Sequence, residues 1–268
     1  MTDAIPRQWL VTLNRFPVLR TWARRGADTL TRRTVPAGVR SVVIPAGPLQ
    51  GVRLVLDFDQ NGERAIWLNT YEPWVQHTLT EVIRPGHLVF EAGAYIGTYA
   101  LMIRRLAPGA RVVALEPDPR NRRRLEENLA LNHADHDVVV LPDAVGAEEA
   151  TVAFNSSGMH GSIGEGNEQV HTTTLDALAR RYGTPDLVLM DIQGAEAAAL
   201  EGSRDLLQAG STTWLVELHG DEGAAAAAVL AGAGYRLETP DPRSDVDQLL
   251  RRTGRTHVLA QPPGRSGR

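Results

Sequence analysis

The 268-residue chain contains no cysteine, and because it also contains no lysine, all 28 of its basic side chains are arginine. Without cysteine there is no thiol nucleophile, iron–sulfur cluster, thiolate zinc site or disulfide. Without lysine there is no Schiff-base nucleophile, no pyridoxal phosphate anchor and no P-loop or kinase lysine to hold a phosphate. Long apolar runs are missing too: none approaches the roughly 18 consecutive apolar residues of a membrane span. The short stretch Trp9–Leu13 is broken by Asn14 and Arg15, which does not read as a secretory signal, so a cytoplasmic location is expected. Positive charge is scarce outside the start of the chain. Residues 1–40 hold eight arginines against Asp3 and Asp28, a balance of +6, which leaves −10 for the remainder. A body that acidic suits a nucleic-acid backbone poorly, and a small-molecule partner is expected instead.

The composition, 43% apolar and 22% charged, is that of a globular chain with a core. Its length fits one large domain or a domain with an appendage, and leaves a homodimer open. Residues 1–40 form a basic extension, in which Trp9, Leu10, Leu13, Phe16, Leu19 and Trp22 recur at helical spacing with Pro17 interrupting. Two amphipathic helical pieces are predicted there, packing on the body or capping the acceptor site as a lid. Residues 41–86 read as a β-rich preface with strands over Ser41–Ile44, Val52–Asp57 and Ala65–Trp67, then a helix from Glu72-Pro73 to before Pro85-Gly86.

From 87 to 261 short apolar runs alternate with helix-length amphipathic segments. The strands are Leu88–Phe90, Arg111–Leu115, Val138–Leu141, Leu187–Met190 and Thr213–Leu218. The helices are Thr98–Leu106, Asn121–Leu131, Ala195–Leu207 and Gly223–Ala233. Continuously apolar strands separated by helices imply a doubly wound α/β fold with a mostly parallel sheet. Tyr235–Glu238 and Thr256–Ala260, joined by a loop, read as an antiparallel pair at the sheet edge, and residues 262–268 as a tail.

Ligands of such sheets sit beyond the carboxyl ends of the strands. The first such turn, Glu91-Ala92-Gly93-Ala94-Tyr95-Ile96-Gly97, spaces its glycines as G-x-x-x-G and begins with a carboxylate. Glu91 would repel the phosphates of a dinucleotide, which argues against a nicotinamide oxidoreductase. It suits a cation such as S-adenosylmethionine, with its ammonium and sulfonium groups. Glu116-Pro117, 23 residues past Gly93, is placed to accept hydrogen bonds from ribose hydroxyls. Asp143 or the adjacent Ala144 is placed to meet an adenine amino group, and Asp191 ends the fourth strand.

The ordered set Tyr71-Glu72-Pro73, Glu91 to Gly97, Glu116-Pro117, Asn128-Leu129-Ala130-Leu131-Asn132, Thr174-Leu175-Asp176 and Leu189 to Glu196 resembles the FkbM-type methyltransferases. Those proteins show a D-x-G-A-N-x-G turn, an E-P acid, an N-L-x-L-N helix end, a T-L-D segment and a K-x-D-x-E-G-x-E strand. The resemblance implies a class I methyltransferase fold, S-adenosylmethionine as cofactor with S-adenosylhomocysteine as product, and cofactor contacts at Glu72, Glu91, Gly93, Ala94, Tyr95, Gly97, Glu116, Pro117, Asp143, Ala144 and Asp191. Three departures stand out: Tyr95 replaces the turn asparagine, Leu189 the lysine and Gln193 the acid. An alanine- and arginine-rich composition drifting away from lysine would have left arginine at 189, so leucine there, with Gln193, points to rewiring of the acceptor side.

For methyl transfer to a hydroxyl, the sequence offers Asp191, Glu217 and His219 as proton-handling residues, Glu217 and His219 sharing a strand face by the period of two. The same trio could hold Mg²⁺, but two carboxylates and a histidine put a metal-free reaction first. His160, Ser162, Gln193 and Glu196 are the expected acceptor contacts, the first two in the glycine- and serine-rich loop from Asn155 to Gly164. A catalytically silent binding protein on the same fold is the alternative.

Overall fold

The computed structural model describes residues 38–156, 161–164, 166 and 168–264. The expected N-terminal helical pieces, His160 and the last four residues lie outside the described residues. Among the described residues no helix is long and apolar enough to cross a membrane.

The chain begins with an antiparallel pair, β1 (Val39–Val43) and β2 (Arg53–Asp57), followed by helices α1 (Asn61–Trp67) and α2 (Pro73–Val82). Then come β3 (Leu88–Ala92), α3 (Thr98–Leu106), β4 (Arg111–Leu115), α4 (Pro119–Leu131) and β5 (Val138–Leu141). Four short strands follow, β6 (Ala144–Val145), β7 (Ala150–Asn155), β8 (Ser162–Ile163) and β9 (Glu168–Thr173), then helix α5 (Leu175–Tyr182). The last segment runs β10 (Leu187–Met190), α6 (Glu196–Glu201), α7 (Arg204–Ala209), β11 (Thr213–His219), α8 (Gly220–Gly232), β12 (Arg236–Glu238), α9 (Val246–Thr253) and β13 (Arg255–Gln261).

Seven strands form one sheet in the order β12-β13-β11-β10-β3-β4-β5. The five from β11 to β5 are parallel, and β13 and β12 run antiparallel at one edge. Alternate strand residues feed two cores. Val89, Val112, Leu187, Leu189 and Leu215 face α1 to α4 and β2, while Phe90, Val113, Val188, Met190 and Val216 face α5 to α9. Burial on both faces is why these strands read as unbroken apolar runs. The β-rich preface therefore shares the core on one side of the sheet.

The asparagines of the N-L-x-L-N segment explain that packing. Asn128 accepts from Val55 N at 2.7 Å and donates to Ile96 O at 2.9 Å, and Asn132 exchanges hydrogen bonds with the backbone of Arg53 at 2.7 and 2.9 Å. Two side chains one helical turn apart thus give β2 the backbone partners that a third strand would supply.

Three local readings are corrected. Ala65–Trp67 is helical, within α1, because Glu63 on that turn is fully buried and accepts from Asp57 N at 2.6 Å, which ties the turn to the end of β2. The single helix expected over Ala195–Leu207 is two, broken at Gly202-Ser203. A Cβ on Gly202 would lie 2.4 Å from the Gly146 carbonyl oxygen, and Ser203 Oγ donates to Ala199 O at 2.6 Å, closing α6. The loop expected after Glu238 contains α9, capped by Asp245 accepting from Gln248 N at 2.7 Å and ended by Gly254 at φ 74°. Part of the glycine- and serine-rich loop is also ordered as sheet, since Asn155 ends β7 and Ser162 begins β8 in the four-stranded order β6-β9-β7-β8.

Candidate active site

Strand register sets the site. Leu141, Leu115, Ala92, Met190 and Val216 lie in one row across the parallel strands. The residues that follow them, among them Gly93, Glu116, Asp191 and Glu217, therefore form a single carboxyl edge. A cleft enclosing about 1080 Å³, its open mouth included, lies along it. Of the sequence-derived positions, Glu72, Glu91, Gly93, Ala94, Tyr95, Glu116, Pro117, Asp143, Ala144, Asp191, Gln193 and Glu217 line this cleft. Gly97, Ser162, Glu196 and His219 do not line it.

At one end stands the turn after β3. Gly93 has φ +83°, and a Cβ there would lie 2.0 Å from the carbonyl oxygen of Asp191. The glycine thus lets the first turn press against the end of β10. Glu91 is 2% exposed, and its register neighbours are Leu189 and Ala114. One of its oxygens takes the Ala100 N–H at the start of α3, while Oε2 is buried without a hydrogen-bond partner. Burial and then the nearby Glu116 push its pKa up to about 8. Leucine at 189 leaves it uncompensated from the neighbouring strand.

Glu116 is raised to about 7, mainly by burial, against the pull of backbone donors at Asp118 and Tyr95. Tyr95 N donates to its Oε2 at 2.7 Å. Tyr95 itself sits at φ 50°, a left-handed conformation that asparagine adopts more readily. Its hydroxyl donates to Glu63 Oε1, and Arg124 pairs with both oxygens of Glu63 and with Val55 O at 2.9 Å. This buried cluster holds in place a tyrosine that replaces the family's asparagine.

The other end is richer in side chains. Glu72, in the left-handed region at φ 41°, accepts from Tyr99 Oη and lies 3.7 Å from His257 Nε2. Burial would raise its pKa, but His257, Tyr99 and Tyr71 together hold it below the usual value. Asp191 is raised to about 8 by burial and by the negative charges of Glu217 and Glu72, and Gln193 Nε2 donates to its Oδ1 at 2.8 Å. Glu217 is 3% exposed and pairs through Oε1 with Arg255 at 3.2 Å. Behind these, His219 Nδ1 meets Glu196 Oε1 at 2.8 Å, and Glu196 is fully buried, also accepting from Gly194 N at 3.0 Å. Burial disfavours the His219 imidazolium, but the bond to Glu196 and the surrounding carboxylates outweigh it and raise the pKa.

Tyr99 and His257 line the cleft and were missed by sequence reasoning, and Tyr71, quoted there only within a family motif, lines it too. His257 arrives on the antiparallel β13, where it pairs in register with Glu217. Nothing local marks it, because only the reversed direction of that strand brings its residues to this edge.

The buried acids make stability fall with pH. An unfolded glutamate ionises near pH 4.3, whereas Glu91 and Glu116 keep their protons to about 8 and 7. Folding is thus favoured by these groups below the unfolded pKa, and the contribution is lost as pH rises through the folded values. His219 and His257, both raised, act in the same direction. The ligand-free protein is expected to melt at least about 5 °C lower at pH 8.5 than at pH 6.0. Calorimetry at the two pH values checks this, and an equal or higher melting temperature at pH 8.5 would contradict it.

A cleft at the carboxyl edge of a seven-stranded sheet of this order, with a glycine turn after the middle one of its five parallel strands, defines a class I methyltransferase fold. The FkbM methyltransferase domain matches residues 91–237, more than half of the chain. The chain belongs to this family. Among solved structures it is similar to the FkbM methyltransferase of Methylobacillus flagellatus, with TM-score 0.51 and 17% identity over 75% of this chain and 54% of that one. It thus spans about half that protein's length. It is also similar to the precorrin-6y C5,15-methyltransferase of Geobacter metallireducens (TM-score 0.48, 13% identity, 73% and 90% of the two chains). A third is Aeropyrum pernix fibrillarin with natively bound S-adenosyl-L-methionine (TM-score 0.43, 13% identity, 67% and 68%). No curated protein sequence matches the chain.

Proposed function

We propose that the protein is an S-adenosylmethionine-dependent methyltransferase that methylates a hydroxyl of a small molecule, such as a sugar or natural-product scaffold. The observation that carries the cofactor is Glu91 Oε2, a buried carboxylate oxygen without a partner in the wall of the cleft. An orphaned acid in an apolar setting is costly unless a cation meets it, and the cofactor's ammonium supplies one. Glu116 would take the ribose hydroxyls, and Asp143 with Ala144 the adenine end. When bound, the cofactor provides a methyl group on a sulfonium, a leaving group that needs no protonation.

The residues of the chain then align the acceptor and take its proton. Alignment is worth up to about 7–11 kcal/mol where geometry is good. Asp191 stands at the edge of the cleft between Glu72 and Glu217, and its pKa of about 8 makes it a stronger base than an ordinary carboxylate. His219, held by Glu196 at its Nδ1, stands behind it with Nε2 4.0 Å from Asp191 Oδ1.

Calorimetric titration with S-adenosylhomocysteine tests the cofactor assignment. Glu91→Gln is expected to bind it roughly 10- to 100-fold more weakly, the worth of a hydrogen bond to a charged group, with little loss of fold because glutamine is neutral as buried Glu91 largely is. Unchanged affinity would remove Glu91 from the ligand. Incubation with labelled cofactor and small-molecule extracts, read as a mass gain of one methyl, tests the transfer. Cofactor binding without any methyl gain favours a silent binding protein, the reading to which Leu189 and Gln193 lend weight.

A further inference from the structure

We infer that Asp191, Glu217 and His219 form a site for one divalent first-row transition-metal ion at the acceptor end of the cleft. One ligand atom from each lies within 4.8 Å of the others. His219 Nε2 is 4.0 Å from Asp191 Oδ1 and 3.9 Å from Glu217 Oε2. Those separations are too long for hydrogen bonds, and Nε2 is buried without a hydrogen-bond partner. With metal–ligand bonds of about 2.1 Å, adjacent ligand atoms lie about 3.0–3.5 Å apart, so the two histidine–carboxylate separations need to close by about 0.5–1 Å and the carboxylate pair by at most about 1.8 Å.

The surroundings are those of a built site. Glu196, fully buried, holds Nδ1 of His219 at 2.8 Å, which fixes the ring and aims Nε2 at the two carboxylates. A carboxylate behind a histidine is the usual outer support of a metal ligand. Arg255 occupies Glu217 Oε1 at 3.2 Å, while Oε2 lies 3.9 Å from His219 Nε2 and 3.9 Å from His257 Nε2. Asp191 and Glu217 line the cleft while His219 stands behind them, so the open coordination positions face the acceptor. A nitrogen among the ligands favours Mn²⁺, Fe²⁺, Co²⁺ or Zn²⁺ over Mg²⁺. A second cluster, Glu72, Glu217 and His257, shares Glu217, but no buried carboxylate is bonded to His257 Nδ1 among the described contacts.

The inference rests on the proposed methyltransferase reading and changes one role in it. With the ion in place Asp191 is a ligand, an acceptor hydroxyl is polarised, and its proton passes to the ionised Glu72 at the same end of the cleft.

The test is titration of the EDTA-treated, desalted full chain with Mn²⁺, the free ion followed by electron paramagnetic resonance, with Zn²⁺ competition. One tightly bound Mn²⁺ per chain is expected, lost in His219→Ala, retained in His257→Ala, and weakened roughly 10- to 100-fold in Glu196→Gln. Absence of saturable binding in the unaltered protein overturns the site without recourse to any variant. So does binding that survives His219→Ala or disappears in His257→Ala. Methyl transfer at an unchanged rate in EDTA overturns the cation and keeps the methyltransferase reading; stoichiometric Mn²⁺ with no transfer to any acceptor does the reverse.

Discussion

Gly93→Ala is expected to abolish cofactor binding and to lower the melting temperature by roughly 10 °C. Two costs combine. At φ +83° an alanine pays about 1–2 kcal/mol for the left-handed conformation. The added Cβ would also stand 2.0 Å from the Asp191 carbonyl oxygen, a backbone atom that cannot swing aside as a side-chain end would. Relief requires the turn after β3 to move away from the end of β10, which separates Glu91 from Asp191. At about 2–4 °C per kcal/mol for a chain of this size, a loss of at least about 3 kcal/mol gives the stated shift. Gly109→Ala is the control, because its φ of +78° is similar but its nearest atom would be 3.9 Å away. The control should cost only the conformational part. Equal effects in the two variants would show that close approach is not what Gly93 provides.

Asp191→Asn should lower turnover by at least roughly tenfold while cofactor affinity changes little. A positioned base is worth roughly 10² to 10⁴ in rate, and asparagine keeps the shape and an oxygen to accept the hydrogen bond from Gln193 but cannot ionise. The pH profile separates this from a structural effect. Without a bound ion the carboxyl is raised to about 8, so in EDTA the rate of the unaltered protein should climb through pH 7–8 as Asp191 loses its proton, and the variant should lack that limb. Unchanged turnover, or an intact limb in the variant, would remove Asp191 from the chemistry.

Much of the candidate site was legible because doubly wound sheets put ligands after strand ends. Five apolar runs located those ends, and Glu91, Glu116, Asp191 and Glu217 followed from them. The capping pair Asp245 and Gln248 could also have revealed α9. Other features left no such trace. Glu63 carries no local signal because its partners, Arg124 and Tyr95, are 61 and 32 positions away. His219 could be placed on its strand, but its partner Glu196 lies 23 residues earlier. No periodicity links a histidine on β11 to a carboxylate on α6.

The sequence by itself determined the fold class, the acid-bearing edge and the chemistry the chain lacks, since each rests on residue type and on periods of a few residues. Tertiary structure alone decided which edge residues touch. The register of β13 brings His257 opposite Glu217, the press of one turn on another demands glycine at 93, and the apolar neighbours Leu189 and Ala114 turn Glu91 from an ordinary acid into one protonated near neutrality. The physical reason is range. Propensity and patterning act between neighbours in the chain, whereas burial, register and electrostatic coupling act between neighbours in space.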